Sequence, residues 1–279
     1  MLRRIINFFV YSNLFIACCA VIMVYQTWQL VIRQPPDPSF LYFVFFATLT
    51  SYSFHWYLTS HSEIPSERVG WTNSNRPLHT VLFFIGLAGA VLFFFPLYRH
   101  WPWLLLSAGI TFLYSAPKIP QKHFRALRKV AIGKTIFLAF VWMYATSILP
   151  VIIAGAAWRQ DTVLFVAGRF FLIYAICILF DYRDRKDDRA AGIRSLITYF
   201  SEKGVNLLFA VSLGIYMLAT IALFYYNYSV KSILFLLLPG ILTGLLYKDA
   251  KRNLDDFFFY FILDGLMMFS ALLMIIFGI

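Results

Sequence analysis

The chain has 279 residues, of which 61% are hydrophobic and 20% aromatic, and its mean hydropathy is +0.74. Soluble domains are far less apolar, so the composition excludes a soluble protein and predicts an integral membrane protein. The net charge of +11 is explained by basic cytoplasmic loops, and no nucleic-acid-binding motif accompanies it. The three cysteines, Cys18, Cys19 and Cys177, lie within apolar runs and form neither a disulfide framework nor a zinc-binding spacing.

Nine apolar runs predict transmembrane helices. Most are roughly twenty residues long and lack strict alternation, a pattern typical of spanning helices rather than barrel strands. The first run follows the charged start Met1-Leu2-Arg3-Arg4 without a convincing cleavage site, so we interpret it as a retained helix. The predicted spans lie near 8–32, 39–58, 80–98, 101–116, 131–154, 162–180, 204–226, 232–247 and 256–277. The sequence therefore predicts an all-α polytopic membrane protein with a single domain over 1–279.

The distribution of Lys and Arg predicts the orientation in the membrane. With a cytoplasmic N-terminus, nineteen of the 24 basic residues fall on the cytoplasmic side and four on the opposite side. The long loops 59–79, 117–130 and 181–203 lie on that same side, where function usually resides in a compact bundle. We therefore predict a multi-pass protein of the cell inner membrane whose N-terminus and long loops are cytoplasmic.

A charged stretch follows the sixth predicted span. In a chain with thirteen acidic residues, four aspartates fall within the eight positions 181–188. If the helix continues through this stretch, Asp181, Asp184 and Asp188 share one face at i, i+3 and i+7. Three crowded carboxylates require a cation, and Mg²⁺ beside a phosphate is the candidate. The alternative is a solvated charged loop whose acids pair with neighbouring bases, namely Arg183, Arg185, Lys186 and Arg189.

Three segments resemble motifs of the UbiA-type intramembrane prenyltransferases. Residues 181–196 resemble the family's second aspartate-rich motif, Asp-x-x-Asp-x-x-x-Asp followed by glycine, a basic residue and Thr/Ser-Leu. Tyr114-Ser115-Ala116-Pro117-Lys118 is similar to the Tyr-Ser/Thr-x-Pro-basic segment after the family's fourth helix. Asn75-Arg76-Pro77-Leu78 is similar to the Arg-Pro-Leu that closes the first motif loop. The resemblance implies a UbiA-like barrel of nine helices with cytoplasmic motif loops.

The first aspartate-rich motif departs from the family pattern. The family has Asn-x-x-x-Asp-x-x-x-Asp at the end of its second helix, whereas this chain has no aspartate between residues 38 and 158. Two alignments place either His55, Thr59 and Glu63 or His61, Pro65 and Val69 at the three motif positions. Glu63 and Glu67 are the only acids available there, so half of the expected metal site is missing or rebuilt.

The resemblance implies a mechanism and a set of site residues. In this family, two aspartate-rich motifs hold Mg²⁺ against the diphosphate of an isoprenoid donor, and a lipophilic acceptor captures the allylic cation. The implied metal ligands are Asp181, Asp184 and Asp188, which are also the catalytic residues, with Glu63 as a fourth ligand. The implied substrate contacts are Arg76, Lys118, Arg194, Tyr114 and Asn13. Alternatively, Lys118 and Arg194 are ordinary positive-inside anchors, and Asn13 bridges helices.

Two functional hypotheses follow. The first is a divergent membrane prenyltransferase that transfers an isoprenoid chain from its diphosphate to a small acceptor with Mg²⁺ assistance. The second is a catalytically inactive UbiA-like scaffold, or a lipid-binding subunit that assembles with other membrane proteins. The three crowded carboxylates favour the first hypothesis, and the absent first motif favours the second.

Two further ionisable residues lie within predicted spans. Arg169 lies toward the outer end of the sixth span and Asp264 lies in the middle of the ninth. Ionisable groups at this depth are candidates for function. We favour a structural role for both, as an ion pair or through outward extension of the Arg169 side chain.

Overall fold

The computed structural model describes residues 2–59, 66–119, 134–190 and 196–278. Regular structure within these ranges is entirely helical, which confirms the predicted all-α class. The principal helices are α1 (Leu2–Tyr11), α2 (Leu14–Ile32), α3 (Pro38–Tyr57), α4 (Glu67–Ser74), α5 (Arg76–Phe94), α6 (Trp101–Ser115), α7 (Lys134–Ile153), α8 (Gln160–Ala190), α9 (Glu202–Tyr226), α10 (Val230–Leu245) and α11 (Phe258–Phe277).

Six helical stretches in the described ranges are long and apolar enough to cross a membrane. They are α2, the continuous stretch Arg76–Ser115, α7, residues Gln160–Lys186 of α8, α9 and α11. The stretch Arg76–Ser115 has 40 residues and joins α5 to α6 through the 3₁₀ segment Phe95–His100. The apolar helix α10 is shorter. The protein is therefore an integral membrane protein, and its predicted count of nine spans stays a prediction.

The predicted first span is two helices rather than one. α1 ends at Tyr11, and α2 begins at Leu14 after Asn13, whose φ of 68° is left-handed. Asparagine tolerates this conformation better than most residues, because its short side chain forms local hydrogen bonds. α1 packs on α4, with the rings of Phe8 and Tyr11 lying 6.2 and 5.8 Å from that of Trp71. The break therefore lets α1 pack against α4.

The order of helix packing forms a closed ring. α2 packs on α3, α3 on α5 and α6, and α6 on α7. The series continues through α8, α9, α10 and α11, and α11 packs back on α2. Most consecutive helices are therefore spatial neighbours, α5 and α6 both pack on α3, and the two ends of the helical series meet.

Helix α8 continues past the predicted span through the charged stretch. The sequence predicts a span near 162–180, whereas α8 runs for 31 residues from Gln160 to Ala190, a length of about 46 Å. Leu172, Ile173, Ala175, Ile176, Ile178 and Leu179 on α8 are buried. Residues 181–190 are thus helical rather than a loop, and the expected face at i, i+3 and i+7 is formed.

Gly86 lies where α5 comes close to the backbone of α3. A Cβ atom at this position would lie 2.5 Å from Thr50 Oγ1 and 2.9 Å from the Thr50 backbone nitrogen. Because the backbone of α3 cannot yield to it, we expect Gly86→Ala to separate the helices and cost about 1–3 kcal/mol. Thermal unfolding in detergent measures the effect. Gly109→Ala is the control, since nothing lies within 4 Å of a Cβ there, and equal losses in both variants would contradict this account.

Candidate functional site

Asp181 and Asp188 share one cationic partner. Both are buried, at 6% and 5% exposure, and they lie two helical turns apart on α8. Lys134, the first residue of α7, places its Nζ 4.0 Å from Asp181 Oδ1 and 3.4 Å from Asp188 Oδ1. The hydroxyl of Thr135 donates a hydrogen bond to Asp181 Oδ2. Sequence reasoning missed Lys134, because it belongs to no motif and resembles any other basic residue at a span boundary.

Asp184 has a different partner. Its Oδ1 accepts a hydrogen bond of 2.9 Å from Nε of the adjacent Arg183, and its side chain is about a third exposed. This is the pairing with a neighbouring base that the alternative interpretation expected. In the part of the chain that the structure describes, no three acidic, histidine or cysteine side chains are grouped closely enough to hold one metal ion. Asp184 therefore lies on the same helix face as Asp181 and Asp188 but does not form an ion pair with their common partner Lys134.

Asp256 connects α8 to the N-terminal end of α4. Arg183 is buried and donates from Nη1 to Asp256 Oδ1 at 3.3 Å and from Nη2 to the Tyr260 hydroxyl at 2.5 Å. The other oxygen of Asp256, Oδ2, accepts bonds of 2.8 Å from the backbone N–H of Arg68 and the hydroxyl of Ser66. A single buried carboxylate thus holds together residues from three parts of the chain.

Arg68 is a buried cation that the sequence did not single out. It is 3% exposed, and its guanidinium carbon lies 4.0 Å from the ring centroid of Trp56 and 4.2 Å from that of Tyr260. Such contacts with aromatic faces stabilise a desolvated cation. Burial lowers the pKa of Arg68, and nearby acidic groups oppose this shift. Its sequence context indicates only that it is one of the basic residues of the predicted cytoplasmic loop 59–79.

Asn13 bridges helices rather than facing the aspartates. Its side chain is fully buried, and its Oδ1 accepts a bond of 2.8 Å from Arg68 Nη2. Its Nδ2 lies 3.4 Å from Ser53 Oγ on α3 and 3.5 Å from His79 Nδ1 on α5. These contacts match the bridging role that the sequence left open, and they join Asn13 to the site only through Arg68.

The segment Tyr114–Lys118 faces the end of α3. The Tyr114 ring stacks on His55 with centroids 5.2 Å apart, and Ser115 Oγ lies 3.1 Å from His55 Nδ1. Lys118 Nζ donates to Thr59 Oγ1 at 2.5 Å. Burial, together with the positive charge of Lys134, lowers the pKa of Lys118 to about 7. His55 and Thr59, the first two positions of one proposed first-motif alignment, therefore line the same site as Lys118.

A family model for the UbiA prenyltransferase family matches residues 58–272. The chain belongs to this family. No curated protein and no solved structure matches the chain. The match includes all three segments that resemble UbiA motifs in sequence. The membrane helices and the family together indicate prenyltransferase activity in general.

The remaining predicted residues lie apart from the aspartates or outside the described ranges. Arg76 is exposed at the start of α5, where its Nη2 donates to Asn73 Oδ1 at 3.2 Å. Among the described residues it forms no ion pair. Glu63 and Arg194 lie outside the described residues, so their assigned contacts stay predictions.

Arg169 and Asp264 do not form an ion pair with each other. Arg169 is buried and donates to Gln26 Oε1 at 2.8 Å and to the Met23 carbonyl at 3.4 Å. It lines a small cavity of about 20 Å³ that Gln26, Tyr216 and Ser270 also line. The predicted outward extension of Arg169 is also not observed, because its side chain bonds inside the helical ring.

UbiA prenyltransferases generally use Mg²⁺ through their aspartate-rich motifs, and two of the aspartates here fit such an ion. The Oδ1 atoms of Asp181 and Asp188 converge on the ammonium of Lys134, which marks a position where a cation contacts both. Mg²⁺ commonly takes only one or two protein carboxylates and completes its octahedron with substrate phosphates and water. The pair is therefore a suitable donor set, and Asp184 lies between its members on the same helix.

The Asp256 network predicts a large effect on stability. Asp256→Asn would leave the buried guanidinium of Arg183 without this carboxylate, and breaking a buried pair costs about 3–5 kcal/mol. We expect a clear loss of thermal stability in detergent. Asp255→Asn is the matched control, because Asp255 is exposed and lies 3.9 Å from the exposed Arg3. A variant of Asp256 as stable as this control would show that the network does not hold the site together.

Proposed function

We propose that the protein is a divergent membrane prenyltransferase that transfers an isoprenoid chain from its diphosphate to a small lipophilic acceptor. The observation that carries this proposal is the buried pair Asp181 and Asp188, which converges on one cation beside the segment Tyr114–Lys118. Burying two carboxylates on one helix face is unfavourable unless a cation sits between them. Family membership supports the reaction class.

The predicted site residues have distinct roles in this proposal. Asp181 and Asp188 would hold Mg²⁺, which when bound neutralises the negative charge that develops on the leaving diphosphate. Lys118 binds a diphosphate oxygen, and Arg76 and Arg194 are the further contacts implied by the family motifs. Asp184 lies on the same face as the metal pair and is the third ligand of the predicted motif.

The reaction separates charge next to aromatic rings. The bond between the allylic carbon and the diphosphate oxygen breaks, and its electron pair leaves with the diphosphate. The acceptor then forms a bond to the allylic carbon and loses a proton. The rings of Trp56, Tyr114 and His55 lie near Lys118 and supply faces suited to stabilising a cation. The surrounding apolar helices exclude water from the allylic cation.

We further propose the nine-span topology of a UbiA-like barrel in the inner membrane, with the motif loops cytoplasmic. The stretch Arg76–Ser115 is about 60 Å long, enough for two passes. With α2, α7, α8, α9 and α11 it gives seven passes, and α3 and α10 bring the number to nine. The closed packing order of the helices supports the barrel. The excess of basic residues on one side supports the orientation.

A second candidate function is a non-catalytic scaffold or lipid-binding subunit. One observation favours it: in one alignment Thr59 stands at the first aspartate position of the motif, and in the other Pro65 and Val69 stand at both aspartate positions. In addition, Lys134 and Arg183 already neutralise the aspartates of α8 in part. Under this hypothesis the charges serve only to join helices, and the protein acts through other membrane proteins.

Donor binding distinguishes the two functions. With farnesyl or geranylgeranyl diphosphate and Mg²⁺, we expect thermal unfolding in detergent to shift upward by several degrees, because a ligand stabilises the folded state it binds. Asp188→Asn should abolish the shift, since it removes one member of the metal pair. Asp249→Asn, on the exposed surface, should leave it intact. No shift with any isoprenoid diphosphate would support the scaffold.

The lowered pKa of Lys118 predicts a pH-dependent affinity for diphosphate. Below pH 7 the side chain is mainly an ammonium that binds the anion, and above pH 7 it is mainly neutral. Affinity should therefore fall as the pH rises from 6 to 8, by up to about tenfold per unit above the pKa. Pyrophosphate titration measures this change. The Lys118→Arg variant stays charged throughout this range, so its pH profile reports only the titration of pyrophosphate itself. Identical pH profiles for the parent protein and this variant would refute the role of Lys118.

A further inference from the structure

Lys134 holds the same carboxylate oxygens that a metal ion would use. Its Nζ faces Oδ1 of both Asp181 and Asp188, and both carboxylates are almost completely buried. One positive charge thus serves two negative charges, so the trio retains a net negative charge that attracts a divalent ion. A metal ion and an ammonium bound to the same oxygens would repel each other strongly at such short range. Metal binding therefore requires Lys134 to move away.

The Lys134 side chain can move toward an incoming anion. A lysine has a flexible four-carbon stem and three donors, and about a quarter of this side chain is exposed. Lys118 lies close enough for the charge of Lys134 to affect its pKa, so the two ammonium groups repel each other. A diphosphate between them would relieve this repulsion and would accept hydrogen bonds from both.

We propose that Lys134 is an internal counter-ion that holds the Asp181 and Asp188 carboxylates until the donor diphosphate binds, so that metal binding and diphosphate binding are coupled. This inference rests on the proposed function. The free protein then binds divalent ions weakly, and the diphosphate releases the carboxylates by drawing Lys134 to itself. By thermodynamic reciprocity, the metal increases the affinity for diphosphate by the same factor.

Binding of Mn²⁺, detected by electron paramagnetic resonance, tests the coupling on the full chain in detergent. Protein-bound Mn²⁺ is measured after filtration, with and without inorganic pyrophosphate. For the parent protein we expect at least tenfold tighter binding of Mn²⁺ when pyrophosphate is present. For Lys134→Gln we expect at least tenfold tighter binding than the parent without pyrophosphate, and little further gain when it is added. The double variant with Asp188→Asn should lose this tight binding.

Lys118→Gln is the matched control. It removes the other lysine of the same site, but Lys118 forms no ion pair with Asp181 or Asp188, so its Mn²⁺ affinity without pyrophosphate should change less than threefold. Equal gains in the two glutamine variants would overturn the inference, because they would reflect general charge rather than competition. Thermal unfolding checks that each variant is folded, and the coupling in the parent protein tests the inference without any substitution.

The remaining outcomes separate the inference from the proposed function. If the parent protein binds Mn²⁺ tightly without pyrophosphate, and this binding requires Asp188, the inference fails while the metal site stands. If neither the parent nor Lys134→Gln binds Mn²⁺ even with pyrophosphate, both the inference and the metal-assisted reaction fail.

Discussion

Burial of charge inside the ring of apolar helices is the constraint on which the site depends. A carboxylate or guanidinium removed from water requires an opposite charge, a hydrogen-bond partner or an aromatic face within a few ångströms. Two such sets meet this need: Asp181 and Asp188 with Lys134, and Arg183 with Asp256. The first set joins the consecutive helices α7 and α8, and the second joins α8 to the start of α11. The ion pairs that satisfy the buried charges are therefore also contacts that hold the helices together.

Helix α8 separates the two sets by presenting them on different sides. Asp181 and Asp188 lie two turns apart and face α7, whereas Arg183 lies two residues beyond Asp181, on nearly the opposite side of the helix. Arg183 accordingly reaches Asp256 and Tyr260 at the start of α11. The side of α8 that faces α7 thus carries the two aspartates of the proposed metal site, while the other side fixes the position of the helix.

The site also has a different balance of charge from the family motif that it resembles. In the alignment that places His55, Thr59 and Glu63 at the first motif, Thr59 stands where the family has an aspartate. Arg68 is buried nearby between Trp56 and Tyr260. Fewer acids and an additional cation make this half of the site more positive. Such a site favours an anion directly, which agrees with a diphosphate ligand and with the contact between Lys118 and Thr59.

The sequence alone determined the features that depend on local spacing. Apolar runs predicted most of the helices closely, because the length of a membrane helix is set within one segment. The aspartate spacing predicted the shared face, which forms because α8 continues through residues 181–190. Motif resemblance correctly identified the UbiA family. Only the tertiary structure decided which cation each aspartate meets, as Lys134 and Asp256 lie far along the chain from α8. It also revealed the break at Asn13 and the burial of Arg68, because ion pairing and desolvation depend on distances in space that no local pattern contains.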